Sequence, residues 1–449
     1  MANGYGVGLC FMWHTIWSAA LLVFNDVQGE FKRIERIFEI CKVSLNGANS
    51  TANGTGRQIT KDARYRSRQS GETEAYLPSH STKSESPPKD AVGEPTNNAQ
   101  YSASYRWQPY PKTFSHRLTW VLDLSMSSFR GVGWNWGNPT LPAVVQGTTA
   151  TKSTLKSALM TTAIYYMGLD VLKVLMMKDP YFWGLVDSPP PHFFAFFGQF
   201  AGFFSHIYRH LFTCLGILFA LENLYGYMCI IYLSIALSLG PRTRITVPIE
   251  APWLYPPLFG PCMVAVLDDG LAGAWGKWWH QTFRFGFVSP SDWIFTRLPR
   301  FLQKKSTSFV LRVIIAFTLS GLLHACGSHT QLAATYPLSG VFLFFVLQIP
   351  GVVLQQLVAY LCTRLPIRFP RWSKRLANLA FVVVWILLTG PFAADDFSRG
   401  GIWLFEPVPF SPLRALGFGA PDEGWLCWHG KWIRAWKGER WWQQGIQIL

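Results

Sequence analysis

Seven apolar stretches alternate with polar linkers along this chain, at residues 7–24, 155–177, 193–204, 211–239, 309–325, 337–361 and 376–392. An eighth, 118–129, is too short to cross a bilayer alone, because a spanning helix needs about 20 residues. Short and paired runs can fuse or split, so the pattern predicts an all-α polytopic membrane protein with roughly seven to nine transmembrane helices. The first run has no basic segment before it, whereas Lys32, Arg33 and Arg36 follow it. That order reads as an anchor helix with its C-terminal end in the cytoplasm, rather than a cleaved signal peptide.

The polar intervals divide the chain. Residues 1–25 form the anchor, 26–116 a polar loop, 117–395 a membrane core and 396–449 a Trp-rich C-terminal region. The centre of the loop, 46–104, is rich in Ser, Thr, Asn and Gly and lacks apolar periodicity, which predicts disorder. It holds N-x-[ST] sequons at Asn49 and Asn53, which count only in a lumenal loop; the basic flank argues for the cytoplasmic side. Trp425, Trp428, Trp432, Trp436, Trp441 and Trp442 suit a segment lying in the membrane interface. Prolines at 241, 248, 252, 256, 257 and 261 exclude a regular helix over 241–261.

Composition agrees with the pattern. Only 14% of residues are charged and 49% are hydrophobic, against about 25% charged in a soluble domain. The net charge of +15 raises nucleic-acid binding as one reading. The cations gather in linkers instead, at Arg297, Arg300, Lys304 and Lys305 and again at Arg364, Arg368, Arg371, Lys374 and Arg375. That marks cytoplasmic loops and no nucleic-acid partner, and such loops draw in anionic cosubstrates. The eight cysteines are scattered without a disulfide or zinc spacing.

Several chemistries find no support. There is no G-x-S-x-G elbow, P-loop, H-E-x-x-H, H-x-x-x-D or dinucleotide fingerprint. His206 and His210 share a helical face, but no third ligand is apparent, so no metal is expected. No internal repeat supports an inverted-repeat transporter. Two histidines remain within apolar surroundings. His280 lies in W-G-K-W-W-H-Q-T-F-R (275–284) and His324 ends F-T-L-S-G-L-L-H (317–324). An ionisable side chain at membrane depth is a functional hypothesis by default, and a neutral imidazole is suited to accepting a proton near neutral pH. The bland alternatives are a core histidine satisfied by a neighbouring helix and an interfacial aromatic belt with an incidental histidine.

Four passages together carry a resemblance: R-G-V-G-W-N-W (130–136), P-P-L-F-G (256–260), the Trp-rich stretch around His280, and S-G-L-L-H (320–324). They resemble the membrane-bound O-acyltransferase superfamily, most closely its wax-synthase-like branch, over roughly residues 106–392. Lys277 and Trp278 depart from it, standing where two arginines are common. The resemblance implies helices around an intramembrane catalytic chamber, with His324 and His280 as catalytic residues. It implies acyl-CoA or substrate contacts from Gln281, Arg284, Trp279, Arg130 and Asn135, with Arg297 and Lys304 as further candidates for the CoA phosphates. Fungal members of this branch acetylate hydroxyl groups of terpenoid or meroterpenoid products. The expectation is therefore acetyl transfer from acetyl-CoA, a cosubstrate rather than a tightly bound cofactor, to an apolar hydroxyl-bearing molecule, in the endoplasmic reticulum membrane. A long-chain wax or sterol ester synthase is the nearest alternative, and a membrane transporter the next.

Overall fold

The computed structural model describes residues 3–41, 100–137, 140–142, 149–239, 247–331, 333–366, 369–420, 423–428, 433–437, 439–440 and 444–448. Asn49, Asn53 and most of the segment expected to be disordered lie outside the described residues. The chain divides into a large unit, residues 1–36 with 105–449, and a small one, 37–104.

The large unit is a helical membrane assembly. Six helices among the described residues are long and apolar enough to cross a bilayer: Gly4–Phe24, Thr149–Met176, His192–Leu239, Lys305–His329, Leu338–Arg364 and Arg371–Arg399. The protein is thus a polytopic membrane protein. Two apolar runs, 193–204 and 211–239, lie in one of these segments, which kinks at Gly198 (φ 54°). The polar S-H-I-Y-R-H between them does not break the helix: several of its groups find partners inside the bundle, while Ser205 Oγ and His210 Nε2 are buried without one. Arg209 forms an ion pair with the fully buried Asp179 at 2.8 Å. His206 Nε2 donates to the Leu387 carbonyl (3.3 Å), and His210 Nδ1 to the His206 carbonyl (2.6 Å). A polar group between helices is tolerated in a membrane when it is satisfied there.

In chain order, α1 (Asn3–Ala19) widens into a π turn at Ala20–Phe24. A short α2 (Val27–Glu30) follows, capped by the Asp26 carboxylate, which accepts from the Gly29 amide. The strands β1 (Arg33–Cys41) and β2 (Gln100–Gln108) pair, and α3 (Phe114–Met126) has 13 residues, too few to span. Helices α4 (Thr149–Met176) and α5 (Ala201–Leu239) pack on each other. Next come α6 (Cys262–Gly273), a second π turn at Ala274–Trp278, α7 (Arg284–Arg297), α8 (Lys305–His329), α9 (Leu343–Arg364) and α10 (Arg371–Arg399). A single turn, α11 (Pro412–Ala415), precedes the antiparallel pair β3 (Ile433–Lys437) and β4 (Gln444–Ile448).

Two aspects of packing position the site. First, α1 runs antiparallel along α8, with Gly4 facing Thr330 and Gly8 facing Cys326 so closely that a Cβ on either glycine would strike a backbone carbonyl. Small residues four apart permit this approach. Second, α6, α8, α9 and α10 enclose a core containing Leu271, Phe317, Val341, Phe345, Val352 and Phe397. A second core is aromatic: Trp13 and Trp17 of α1 meet Trp120 of α3, Trp134 and Phe287 of α7. The antiparallel course of α1 also brings its C-terminal end to the side where α8 starts, so Lys32, Arg33 and the 297–305 linker share a face. Helices α9 and α10 put Arg364 and Arg371 on that face too, since each successive span reverses direction.

Candidate active site

Three of the four passages singled out in the sequence meet through hydrogen bonds. Gly131 (φ 70°) and Gly133 (φ 80°) hold R-G-V-G-W-N-W in a left-handed double turn that an L side chain would strain. A Cβ on Gly131 would also run into Trp136. The loop aims Arg130 at P-P-L-F-G, where its guanidinium donates to the Pro256 carbonyl at 3.1 Å and the Pro257 carbonyl at 2.7 Å. Tyr225 OH donates to the Pro256 carbonyl as well, at 2.7 Å. P-P-L-F-G in turn clips the Trp-rich stretch, its Gly260 amide donating to the Trp278 carbonyl at 2.8 Å.

The Trp-rich stretch is not a simple interfacial belt. Helix α6 breaks at Gly270 (φ 62°), and the amide this frees at Leu271 donates to Gln355 Oε1 of α9 at 2.7 Å. Such broken backbone is tolerated at membrane depth when neighbouring helices satisfy it. Trp275 points inward: Nε1 donates to Gln348 Oε1 at 3.3 Å, and its ring meets Phe317, Phe344 and Phe345. Gln281 braces the π turn by donating to the carbonyls of Trp275 (3.1 Å) and Trp279. Its own carbonyl accepts from Arg284 at 3.3 Å. Both polar ends of Gln281 are thereby used within the segment.

His280 emerges past the π turn among Phe259, Trp279 and Phe283, with ring centroids 5.5–5.9 Å away. Its Nδ1 is buried without a partner. Burial pushes its imidazole down to about 4, with the Arg130 guanidinium adding to the effect, as desolvation and a like charge both disfavour the cation.

His324, five residues before the end of α8, lies within electrostatic reach of His280. It stacks on Phe345 with centroids 4.6 Å apart and planes 9° from parallel. Its Nδ1 is 2.6 Å from the Tyr5 hydroxyl of α1. Nε2 has no partner among the described residues and is not buried. One imidazole edge is therefore held by protein and the other is available to a reactant.

Arg130 and Trp279 lie beside His280: the guanidinium acts on its charge, and the Trp279 ring adjoins it. Arg284 is exposed and donates to the Gly276 carbonyl at 3.1 Å. Arg297 folds over the Trp293 ring, 3.7 Å from its centroid, and Lys304 is exposed. Asn135 lies in the R-G-V-G-W-N-W loop. It accepts from the Lys32 amide (2.7 Å) and donates to the Glu30 carbonyl (2.8 Å), which locks its loop to the start of β1. Tyr5 and Phe345 are absent from the sequence expectations. The signal that would have found Tyr5 is the glycine spacing of G-Y-G-V-G (4–8), which marks a helix face built for close approach.

Residues 255–347 match the family described as membrane bound O-acyl transferase. The chain is similar to O-Mevalon transferase macI of Penicillium terrestre, 29% identical over 248 residues, covering 52% of this chain and 51% of that protein. It is similar to acetyltransferase spyB of Aspergillus fumigatus, 27% identical over 179 residues (36% and 29%), and to O-Mevalon transferase yanI of Aspergillus niger, 27% identical over 266 residues (55% and 54%). The chain spans about half, or less, of the length of these relatives. No solved structure matches it.

Proposed function

We propose that the chain, whose residues 255–347 match the membrane bound O-acyl transferase family, is a member of it and transfers an acetyl group from acetyl-CoA to a hydroxyl of an apolar terpenoid or meroterpenoid molecule. The observation that carries this reading is His324, held at Nδ1 by the Tyr5 hydroxyl and without a partner at Nε2 among the described residues. Several relatives bear the name acetyltransferase, which supports acetyl as the group transferred.

His324 Nε2 takes the hydroxyl proton as general base. The substrate oxygen then forms a bond to the thioester carbonyl carbon, the C–S bond breaks, and CoA leaves as thiolate. A thiol of pKa about 8.5 needs little acid assistance to leave, and the proton on His324 passes to it or to water. His280, neutral at physiological pH, can donate one N–H to the oxygen that becomes negative in the tetrahedral intermediate. Arg284, Arg297 and Lys304 are candidates for the CoA phosphates, approached from the basic face. The acceptor reaches the site through the bilayer, and the membrane is that of the endoplasmic reticulum.

A second reading, in which the transferred group is not acetyl, rests on the two relatives named O-mevalon transferases. Microsomes containing this protein, given labelled acetyl-CoA or palmitoyl-CoA with a panel of terpenoid alcohols, separate the possibilities. Acetyl ester formation is expected. Palmitoyl esters alone would make it a long-chain ester synthase, and substrate flux into proteoliposomes without thioester consumption would make it a transporter. His324→Ala is expected to lower the rate at least about 100-fold at unchanged expression, the loss typical of removing a general base. Full activity in that variant would overturn the mechanism.

A further inference from the structure

Helix α3 (Phe114–Met126) presents two unlike faces. Trp120 and Leu124, four residues apart and therefore on one side, are 1% and 2% exposed. Trp120 meets Trp134 edge-on with centroids 4.8 Å apart, and the Leu124 carbonyl accepts from Trp17 Nε1 of α1 at 3.2 Å. Phe114, Leu118, Val121, Leu122 and Met126 fall at i, i+4, i+7, i+8 and i+12, one continuous stripe along a helix. All five are exposed, Phe114 at 80% and Met126 at 63%. A contiguous apolar surface of this kind marks an interaction site.

The inner contacts set the depth of the helix. Trp17 lies in the last turns of the first span, Gly4–Phe24, and Arg33 lies beyond its end. Arg33 donates to the Thr119 carbonyl at 3.4 Å and pairs with Asp123 at 3.3 Å. Helix α3 thus sits level with the C-terminal end of α1, where the bilayer gives way to water. At that same level α1 exposes its last apolar side chains, Leu22 and Val23, to lipid. The stripe runs the full length of α3, which places the helix axis along the membrane surface; a helix dipping in end-on would be apolar at one end. Thirteen residues make about 20 Å of helix, less than the hydrocarbon core of about 30 Å. Cations stand at its N-terminal end: Lys112 is exposed, and the exposed Arg117 donates to the Pro111 carbonyl at 2.8 Å.

We infer that α3 is an interfacial helix lying in the leaflet on the basic face of the protein, its stripe from Phe114 to Met126 sunk among lipid acyl chains and Lys112 and Arg117 level with the headgroup phosphates. Apolar residues on one side and cations beside them are what a lipid surface binds. A second copy of the chain is the other occupant such a stripe could take. The shared depth with the lipid-facing end of α1 and the flanking cations favour lipid. The inference does not use the acyl-transfer reading and stands or falls apart from it. It gives the protein a membrane contact besides its spans.

The full-length protein, carrying the photoreactive residue p-benzoylphenylalanine in place of Leu118, Leu122 or His116, is irradiated in vesicles of phosphatidylcholine and phosphatidylserine. Mass spectrometry then identifies what each position has captured. Phospholipid adducts are expected at 118 and 122, several-fold above those at 116. Cross-linked dimers at 118 and 122 would assign the stripe to a second copy. Absence of lipid adducts there, or equal adducts at all three positions, would equally overturn the inference. Unsubstituted protein supplies a second reading through hydroxyl-radical oxidation of methionines. Met160 of α4, 58% exposed in the middle of a span, faces lipid and is the internal standard. Met126 is expected to oxidise as slowly as Met160. Oxidation of Met126 several-fold faster than Met160 would place the stripe in water.

Discussion

His280 has a buried, unpartnered Nδ1 and an imidazole that burial and Arg130 push down to about 4 from an ordinary 6.5. The sign of the consequence follows from linkage. As pH falls below about 6.5 the unfolded chain takes up a proton at this position, while the folded protein does not until about 4. The stability contributed by a neutral His280 is complete above 6.5 and is lost as pH falls through that window. Wild type should therefore lose more in thermal unfolding midpoint between pH 7 and pH 5 than His280→Asn, which cannot titrate there. Equal losses in the two proteins would show that His280 is not desolvated. In the transfer assay His280→Asn keeps a hydrogen-bond donor of similar reach, so a fall of about 10-fold or less is expected, against a larger fall for His280→Ala. If both variants matched wild type, His280 would have no part in stabilising the oxyanion.

Among the elements, the contact between α1 and α8 is the one on which the site depends and the one hardest to read from sequence. Gly8 faces the Cys326 carbonyl with no room for a Cβ, and the Gly8 amide donates to Thr330 Oγ1 at 3.2 Å. Gly8→Leu must push the helices apart, and overpacking of this kind costs about 1–3 kcal/mol. It should lower the thermal midpoint and also separate Tyr5 from His324, so kcat falls as well. Gly6, which meets nothing on its outer face, is the control: Gly6→Ala should leave both quantities near wild type. A Gly8→Leu protein as stable and active as wild type would mean that α1 does not need this close approach. The sequence revealed α1 as an apolar run but not its partner, because hydropathy reports that a helix is in the membrane and not which helix it faces. His280 and His324 were legible because a polar side chain among apolar ones stands out. Tyr5 was hidden for the opposite reason: a tyrosine at the start of a membrane helix is the expected interfacial residue. Asn135 and Gln281 were read as ligand contacts from their place in the motifs; in the fold Asn135 bonds the backbone of Lys32 and Glu30, and Gln281 bonds the carbonyls of Trp275 and Trp279 and the Arg284 side chain, partners that only the folded loops reveal.

At the scale of the whole molecule, the count of spans and their orientation depend on what happens to polar groups between apolar runs. The S-H-I-Y-R-H stretch looks like a break because it carries two histidines and an arginine, yet Asp179 pairs with Arg209, two backbone carbonyls accept from the histidines, and the helix continues. With those groups accommodated, the spans alternate so that Lys32, Arg33, the 297–305 linker, Arg364 and Arg371 share one face. Lys and Arg are retained on the cytoplasmic side of short loops, which makes this face the expected cytoplasmic one and the side proposed for entry of acyl-CoA. The polar segment after Arg36 then begins in the cytoplasm, and its sequons at Asn49 and Asn53 should stay unmodified when the protein is made in microsomes. A glycosylation acceptor placed in the turn between α8 and α9, at Ala333 or Ala334, should by contrast be modified, because that turn lies at the opposite end of both helices. The two sites make the test symmetrical. Glycans on the 330–336 turn and none at Asn49 or Asn53 fix the basic face in the cytoplasm, whereas the reverse pattern would put the entrance proposed for acyl-CoA on the lumenal side, where the cytosolic pool of that cosubstrate cannot reach it.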